Sequence, residues 1–129
     1  MTLFEIHKKI GYDTPPFQKM IANLPFSDLI VDEEGYRITS NSMQERLFGT
    51  IPPSWYTIFK DPVFDNSEMK SLLQKAKDGE VVTFPDFHYD PSNNSPETIP
   101  SKKLWLSMII FTVFVEELNS KLYVLIHEV

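Results

Sequence analysis

The sequence predicts an α+β domain in which five antiparallel strands carry helices on one face, with an N-terminal amphipathic helical segment ahead of them. Three observations predict it. Two strand-like runs joined by a tight turn come early in the chain, three short to medium helical stretches follow, and three further strand-like runs close it, the last two long. The chain has 129 residues, 42% hydrophobic and 23% charged, which suits one domain with an ordinary core.

Residues 1–24 read as a helical lead-in. Leu3, Ile6 and Ile10 fall at three-and-four spacing, as do Phe17, Met20, Ile21 and Leu24, and Pro16 suits a first helical turn. Gly11 and the Pro15–Pro16 turn separate the two helices. Their stripes serve either packing on the rest of the domain or a partner, and a second copy of the chain is the expected partner. Residues 25–129 form the second, larger unit.

Asp28-Leu29-Ile30-Val31 is a short β-rich run, Asp32-Glu33-Glu34-Gly35 a turn, and Tyr36-Arg37-Ile38-Thr39 a returning strand. Ser42 with Glu45, or Asn41 with Gln44, can then cap a helix start, and that helix ends at Gly49 before Pro52–Pro53. Trp55 to Phe59 reads as a helical turn running into Lys60-Asp61-Pro62. Asp65 is placed to cap a stronger helix with Met69, Leu72, Leu73 and Ala76 on one face and Gly79 at its end.

Glu80 to Tyr89 reads as a strand broken by Pro85, which cannot donate to a ladder and so implies an edge or a bulge. Residues 91–97 are a polar loop, with an Asn93-Asn94-Ser95 glycosylation match that matters only in a secreted eukaryotic protein. Leu104 to Val115 and Leu122 to Val129 are antiparallel partners turning at residues 116–120. The first of them is apolar on both faces, so something must cover its second face. The helices of residues 1–24 are the nearest cover, and a dimer partner is the other.

Composition excludes several kinds of function. Twelve Lys and Arg against 18 Asp and Glu give a net charge of −6, which repels phosphate backbones, so direct nucleic-acid binding is not expected. The chain contains no cysteine, which removes disulfides, thiolate metal sites, cysteine nucleophiles and thiol adducts to a chromophore. Residues 1–10 lack the unbroken apolar core of a signal peptide, and the apolar run Leu104 to Val115 is shorter than the roughly 20 residues a membrane helix needs. Membrane insertion is therefore not expected of this segment, and the expected location is cytoplasmic.

In this order and at these distances the pieces resemble the PAS sensor family of bacterial signal transduction, over residues 25–129. The Asp32-Glu33-Glu34-Gly35 turn, then Ser40-Asn41-Ser42 followed by Leu47-Phe48-Gly49, is similar to the family's first hairpin and asparagine-led helix. Trp55 through Pro62 resembles its short aromatic helix ending in Asp-Pro. Asp78-Gly79-Glu80, Tyr89-Asp90-Pro91 and Trp105 match family positions around the later strands. The chain departs from the family at Ile126-His127-Glu128-Val129, where many members carry an Asp-Ile-Thr signature that starts an output helix.

The resemblance implies a regulatory module without catalysis of its own, linked to an effector such as a histidine kinase of a two-component system, and a pocket between helices and sheet. Candidate pocket residues are Ile30, Met43, Phe48, Trp55, Phe59, Leu73, Phe84, Met108 and Ile110, with Tyr56, Thr57, Ser107 and Thr112 as polar groups able to orient a ligand. Large side chains at these positions would equally fill the space, which leaves a ligand-free dimerisation or protein-interaction domain as the alternative. Haem is disfavoured because the helix expected to supply its axial ligand, residues 65–77, contains no histidine, and covalent flavin because there is no cysteine. His88-Tyr89-Asp90 offers at most two metal ligands on one strand face, and no acid, base and nucleophile set can be assembled.

Overall fold

The structure is a computed structural model that describes residues 2–11, 14–91 and 103–128. Two helices lead the chain, α1 (Leu3–Lys9) and α2 (Pro15–Ala22), the second starting on paired prolines. They are followed by β1 (Ser27–Val31), β2 (Arg37–Ser40), α3 (Ser42–Phe48), two 3-10 turns at Ile58–Lys60 and Pro62–Phe64, and α4 (Ser67–Lys77). The chain then runs through β3 (Val82–Tyr89), β4 (Leu104–Val115) and β5 (Ser120–Glu128). The five strands form one antiparallel sheet in the order β2-β1-β5-β4-β3, so the α+β class and the five-stranded sheet are as the sequence predicts. The polar loop and glycosylation match expected at residues 91–97 lie almost entirely outside the described residues.

Local chemistry sets most of the boundaries. Asp32 Oδ1 accepts from the Glu34 and Tyr36 amides and shapes the first turn, which Gly35 completes at φ +87°. A Cβ at Gly35 would collide with Thr57 Oγ1 and come within 2.9 Å of the Phe59 ring, so the hairpin can seat against the 3-10 segment only because no side chain stands there. The cap of α4 is Asn66, whose Oδ1 accepts from the Met69 amide, and not Asp65. Both residue types cap well, and Asp65 is drawn instead into the end of the second 3-10 turn.

Two layers cover the sheet unequally. Its inner face carries α3, the 3-10 segment and α4, with Leu29, Val31, Met69, Leu73, Phe84 and Ile110 at the centre of the core. On the outer face α1 packs Ile6 and Ile10 against Ile30, Ile38 and Leu122. His7 Nε2 bonds the Ile38 carbonyl at 2.7 Å and Lys9 Nζ donates to the Glu117 carbonyl at 3.2 Å. The lead-in thus covers the β1–β2–β5 side of the outer face, while Trp105 and Val113 of β4 stay 50% and 41% exposed.

Pro85 interrupts β3 as its missing amide requires: pairing with β4 shifts between Phe84 and Phe87. Before the shift Val82 and Phe84 face inward; after it Phe87 and Tyr89 do, and His88 turns outward to stack on Trp105 with centroids 4.3 Å apart. No helix among the described residues is long and apolar enough to cross a membrane.

Candidate functional site

Asn41 organises the site. Its Oδ1 accepts from the Gln44 amide at 3.0 Å, capping α3, and from the Asp28 amide at 3.0 Å on β1. Its Nδ2 donates to the Phe26 carbonyl at 2.9 Å. One buried side chain therefore ties the start of α3 to β1 and to the residues leading into it. Gln44 and Phe48, one turn apart on the same helix face, are held against the sheet.

Between α3, the 3-10 segment and the sheet lies a cavity of about 60 Å³. Its walls are mostly apolar: Leu29, Leu106, Met108 and Leu125 from the sheet, Phe48 from α3, and Ile58, Val63 and Phe64 from the segment before α4. A space of this size holds a few waters or a molecule of a few heavy atoms; for scale, an apolar cavity of about 150 Å³ takes benzene.

Besides Thr50, whose hydroxyl donates to the Ile51 carbonyl, polar groups enter the lining at two places. At one, the Asp61 carboxyl gathers three donors: the Val63 amide at 3.0 Å on Oδ1, and the Tyr89 and Tyr56 hydroxyls on Oδ2, the Tyr89 bond being 2.8 Å. Burial, then the neighbouring Tyr89 and Asp61, push the Tyr56 phenol well above its ordinary range, so it stays protonated and donating. Asp61 thereby serves as a clasp that fastens the end of β3 to the segment before α4.

At the other, Gln44 and His127 face the cavity, and Ser27 pairs with His127 across the β1–β5 ladder. Gln44 Oε1, His127 Nδ1 and Ser27 Oγ are buried without a hydrogen-bond partner. Desolvation lowers the His127 imidazole to about 4, so it is neutral at neutral pH, with the Phe48 ring edge-on to it at 5.2 Å. Each unpaired atom costs about 1–3 kcal/mol unless something bonds it.

Of the residues the sequence offers for a pocket, Phe48 and Met108 line this cavity. Leu73, Phe84 and Ile110 are in the filled core under α4, and Phe59 stands edge-on to Tyr123 with Lys77 Nζ 4.1 Å over its ring. Met43 precedes Gln44 on α3 and is only half-buried, with Arg46 against its sulfur. Trp55 is 60% exposed in the turn before the 3-10 segment. Ile30 is on the opposite face, against α1, because strand alternation that points Leu29 and Val31 inward points Ile30 outward.

Among the polar candidates only Tyr56 reaches the cavity. Thr57 donates to the Glu34 carbonyl, Ser107 to Asp86 and Thr112 to the Ala76 carbonyl. Gln44, Asp61, Tyr89 and His127 were absent from the sequence-based set. Alternation along β5 puts His127 on the same face as Tyr123 and Leu125, and helical spacing puts Gln44 beside Phe48; these were the available signals. No group of three or more His, Asp or Glu side chains among the described residues is placed to hold a metal ion.

A sheet whose inner face is roofed by short helices over a small cavity defines a class of fold, and solved structures share it. The PAS domain of the HTR-like protein from Haloarcula marismortui is similar over 96% of this chain and 97% of its own, with 14% identity and a TM-score of 0.64. The PAS domain of nitrogen regulation protein NR(II) from Vibrio parahaemolyticus covers 89% of this chain and 97% of its own, at 14% identity and TM-score 0.56. A fungal LOV domain photoreceptor covers 99% and 100%, at 12% identity and TM-score 0.61. The chain has a PAS-like fold. No protein-family model and no curated protein matches the sequence.

Proposed function

We propose that the chain is a sensory module of a signalling protein, built from the 1–24 lead-in and the 25–129 sheet domain, that holds a small ligand in the α3 cavity and passes the resulting change in packing to a linked effector such as a histidine kinase. The observation that carries this reading is the cavity itself, apolar but bordered by buried polar atoms left without partners. Support comes also from the solved structures of the same fold, among them a PAS domain of a two-component sensor histidine kinase, similar over 96% of both chains at 12% identity. β5 couples the two faces of the sheet: His127 and Leu125 border the cavity, while Val124 packs with the α1 cluster. A ligand biases such a system only by binding its two arrangements unequally.

Native mass spectrometry of the purified chain tests the reading. A small adduct that disappears on heating, together with amide shifts on both α3 and α1 when it is stripped, is the expected result. An adduct-free chain whose α1 signals ignore every occupant of the cavity would refute it.

Self-association is a second reading with its own observation. Trp105 and Val113 are exposed, and Ile109 and Phe111 half-exposed, along the strip of β4 that α1 leaves uncovered. An apolar strip of this kind suits a second copy of the chain. Light scattering checks it: Val113→Glu with Trp105→Arg should yield the monomer mass from a dimer, and an unchanged mass rejects the interface.

A further inference from the structure

We infer that the α3 end of the cavity recognises a small uncharged molecule through a hydroxyl group, set between Gln44 and His127. The inference deepens the ligand-binding reading above and rests on it. Gln44 and His127 are 3% and 7% exposed, both line the cavity, and each leaves a polar atom unpaired. Gln44 Oε1 only accepts. His127 Nδ1 accepts or donates according to which ring nitrogen carries the single proton of the neutral imidazole. A hydroxyl gives one hydrogen bond and takes others, so its chemistry matches both groups. It also serves either orientation of the Gln44 amide, since it can accept from an N–H where it would otherwise donate to the oxygen.

Other head groups fit worse. A carboxylate or phosphate brings only acceptors against Gln44 Oε1, and no lysine or arginine is among the described residues lining the cavity to balance its charge. An ammonium group would lose its hydration among Leu29, Phe48 and Leu106, and the one carboxyl lining the cavity, Asp61, is already engaged by the Val63, Tyr56 and Tyr89 donors at the other polar end. A hydrocarbon would fill the apolar walls and leave both polar atoms unpaired. An amide carries suitable donors and acceptors but spreads them over two atoms, and in about 60 Å³ the single-atom head group leaves more room for the apolar tail.

The test is NMR titration of the whole chain with n-propanol, propionate and n-propyl chloride, with xenon as an apolar cavity filler. n-Propanol should saturably shift the Gln44 side-chain amide and the His127 ring signals, with a Kd roughly tenfold below those of the other two, as one to two net hydrogen bonds would give. In Gln44→Met, with His127 still able to bond the hydroxyl, the preference for the alcohol should fall to about threefold while xenon binding persists. Equal affinity for propanol and propyl chloride, with xenon entering the cavity, overturns the hydroxyl inference and leaves the ligand-binding reading standing. A water seen by water–protein NOE at Gln44 and His127 that propanol fails to displace overturns the inference as well. If neither xenon nor any probe perturbs the cavity residues, both readings fall.

Discussion

The inner face of the sheet is filled under α4 and hollow under α3, and the two halves differ because of what each helix presents. α4 offers Met69, Leu73 and Ala76, and the small Ala76, fully buried, allows an approach close enough for Thr112 Oγ1 to donate to its carbonyl at 2.6 Å. Phe64 and Phe84 close the space edge to face at 5.9 Å. α3 offers Gln44 and Phe48, and the chain after it runs through Pro52 and Pro53 before it can turn back as a 3-10 helix. One half is closed by buried apolar side chains; the other keeps a void and unpaired polar atoms, features that stability alone does not favour.

The sharpest way to separate the halves is to truncate each. Phe84→Ala in the filled half should cost about 3–5 kcal/mol, and Leu106→Ala beside the existing void about 2–3 kcal/mol, both read from urea midpoints at constant m-value. Equal losses would mean that the void does not ease relaxation and that the contrast between halves has no energetic content.

Acid titration probes the hollow half through His127. Its imidazole is lowered from 6.5 to about 4, so between those values the unfolded chain takes up a proton the native state refuses, and stability falls by about 3 kcal/mol on acidification. Asp28, 2% exposed on β1, works in reverse: burial raises its carboxyl from 3.8 to about 6, so stability is lost as pH rises through that range, by a similar amount. The two effects offset each other between about pH 4 and 6. Asp28→Asn should therefore unmask a fall in melting temperature as pH drops from 6.5 to 4, and a flat profile in that variant would show that His127 titrates normally.

Smaller effects distinguish the polar groups within the hollow half. Tyr89→Phe removes a hydrogen bond to the Asp61 carboxyl and should cost about 1.5 kcal/mol in the same denaturation assay. Gln44→Met removes an unpaired buried oxygen at nearly constant volume and should raise stability by up to about 1 kcal/mol. A loss at position 44 as large as that at 89 would show that Gln44 is already paired.

The filled half was far more legible in the sequence than the hollow one. Leu72, Leu73 and Ala76 announce α4 by spacing, and the long runs of β4 and β5 announce their pairing, because both signals repeat every few residues. The cavity has no such period. It is assembled from Gln44 on a helix, Asp61 in a turn, Tyr89 at a strand end and His127 on another strand, far apart in the chain and joined only by the fold. Apolar residues were natural candidates for a pocket, yet Leu73, Phe84 and Ile110 were large enough to close the space around themselves and fill it.

One irregularity decides what that cavity is made of. Strict alternation from Val82 and Phe84 would bring Asp86 and His88 to the inner face; the slip at Pro85 advances the count by one and brings Phe87 and Tyr89 instead. The strand thus carries two alternative walls written in opposite phase, one acidic and imidazole-bearing, the other aromatic, and the slip selects between them. Smoothing the slip at constant length would exchange the lining, whereas deleting one of the two residues in the bulge would leave Phe87 and Tyr89 facing inward. The wall of this cavity is therefore set by the phase of a strand as much as by its contents.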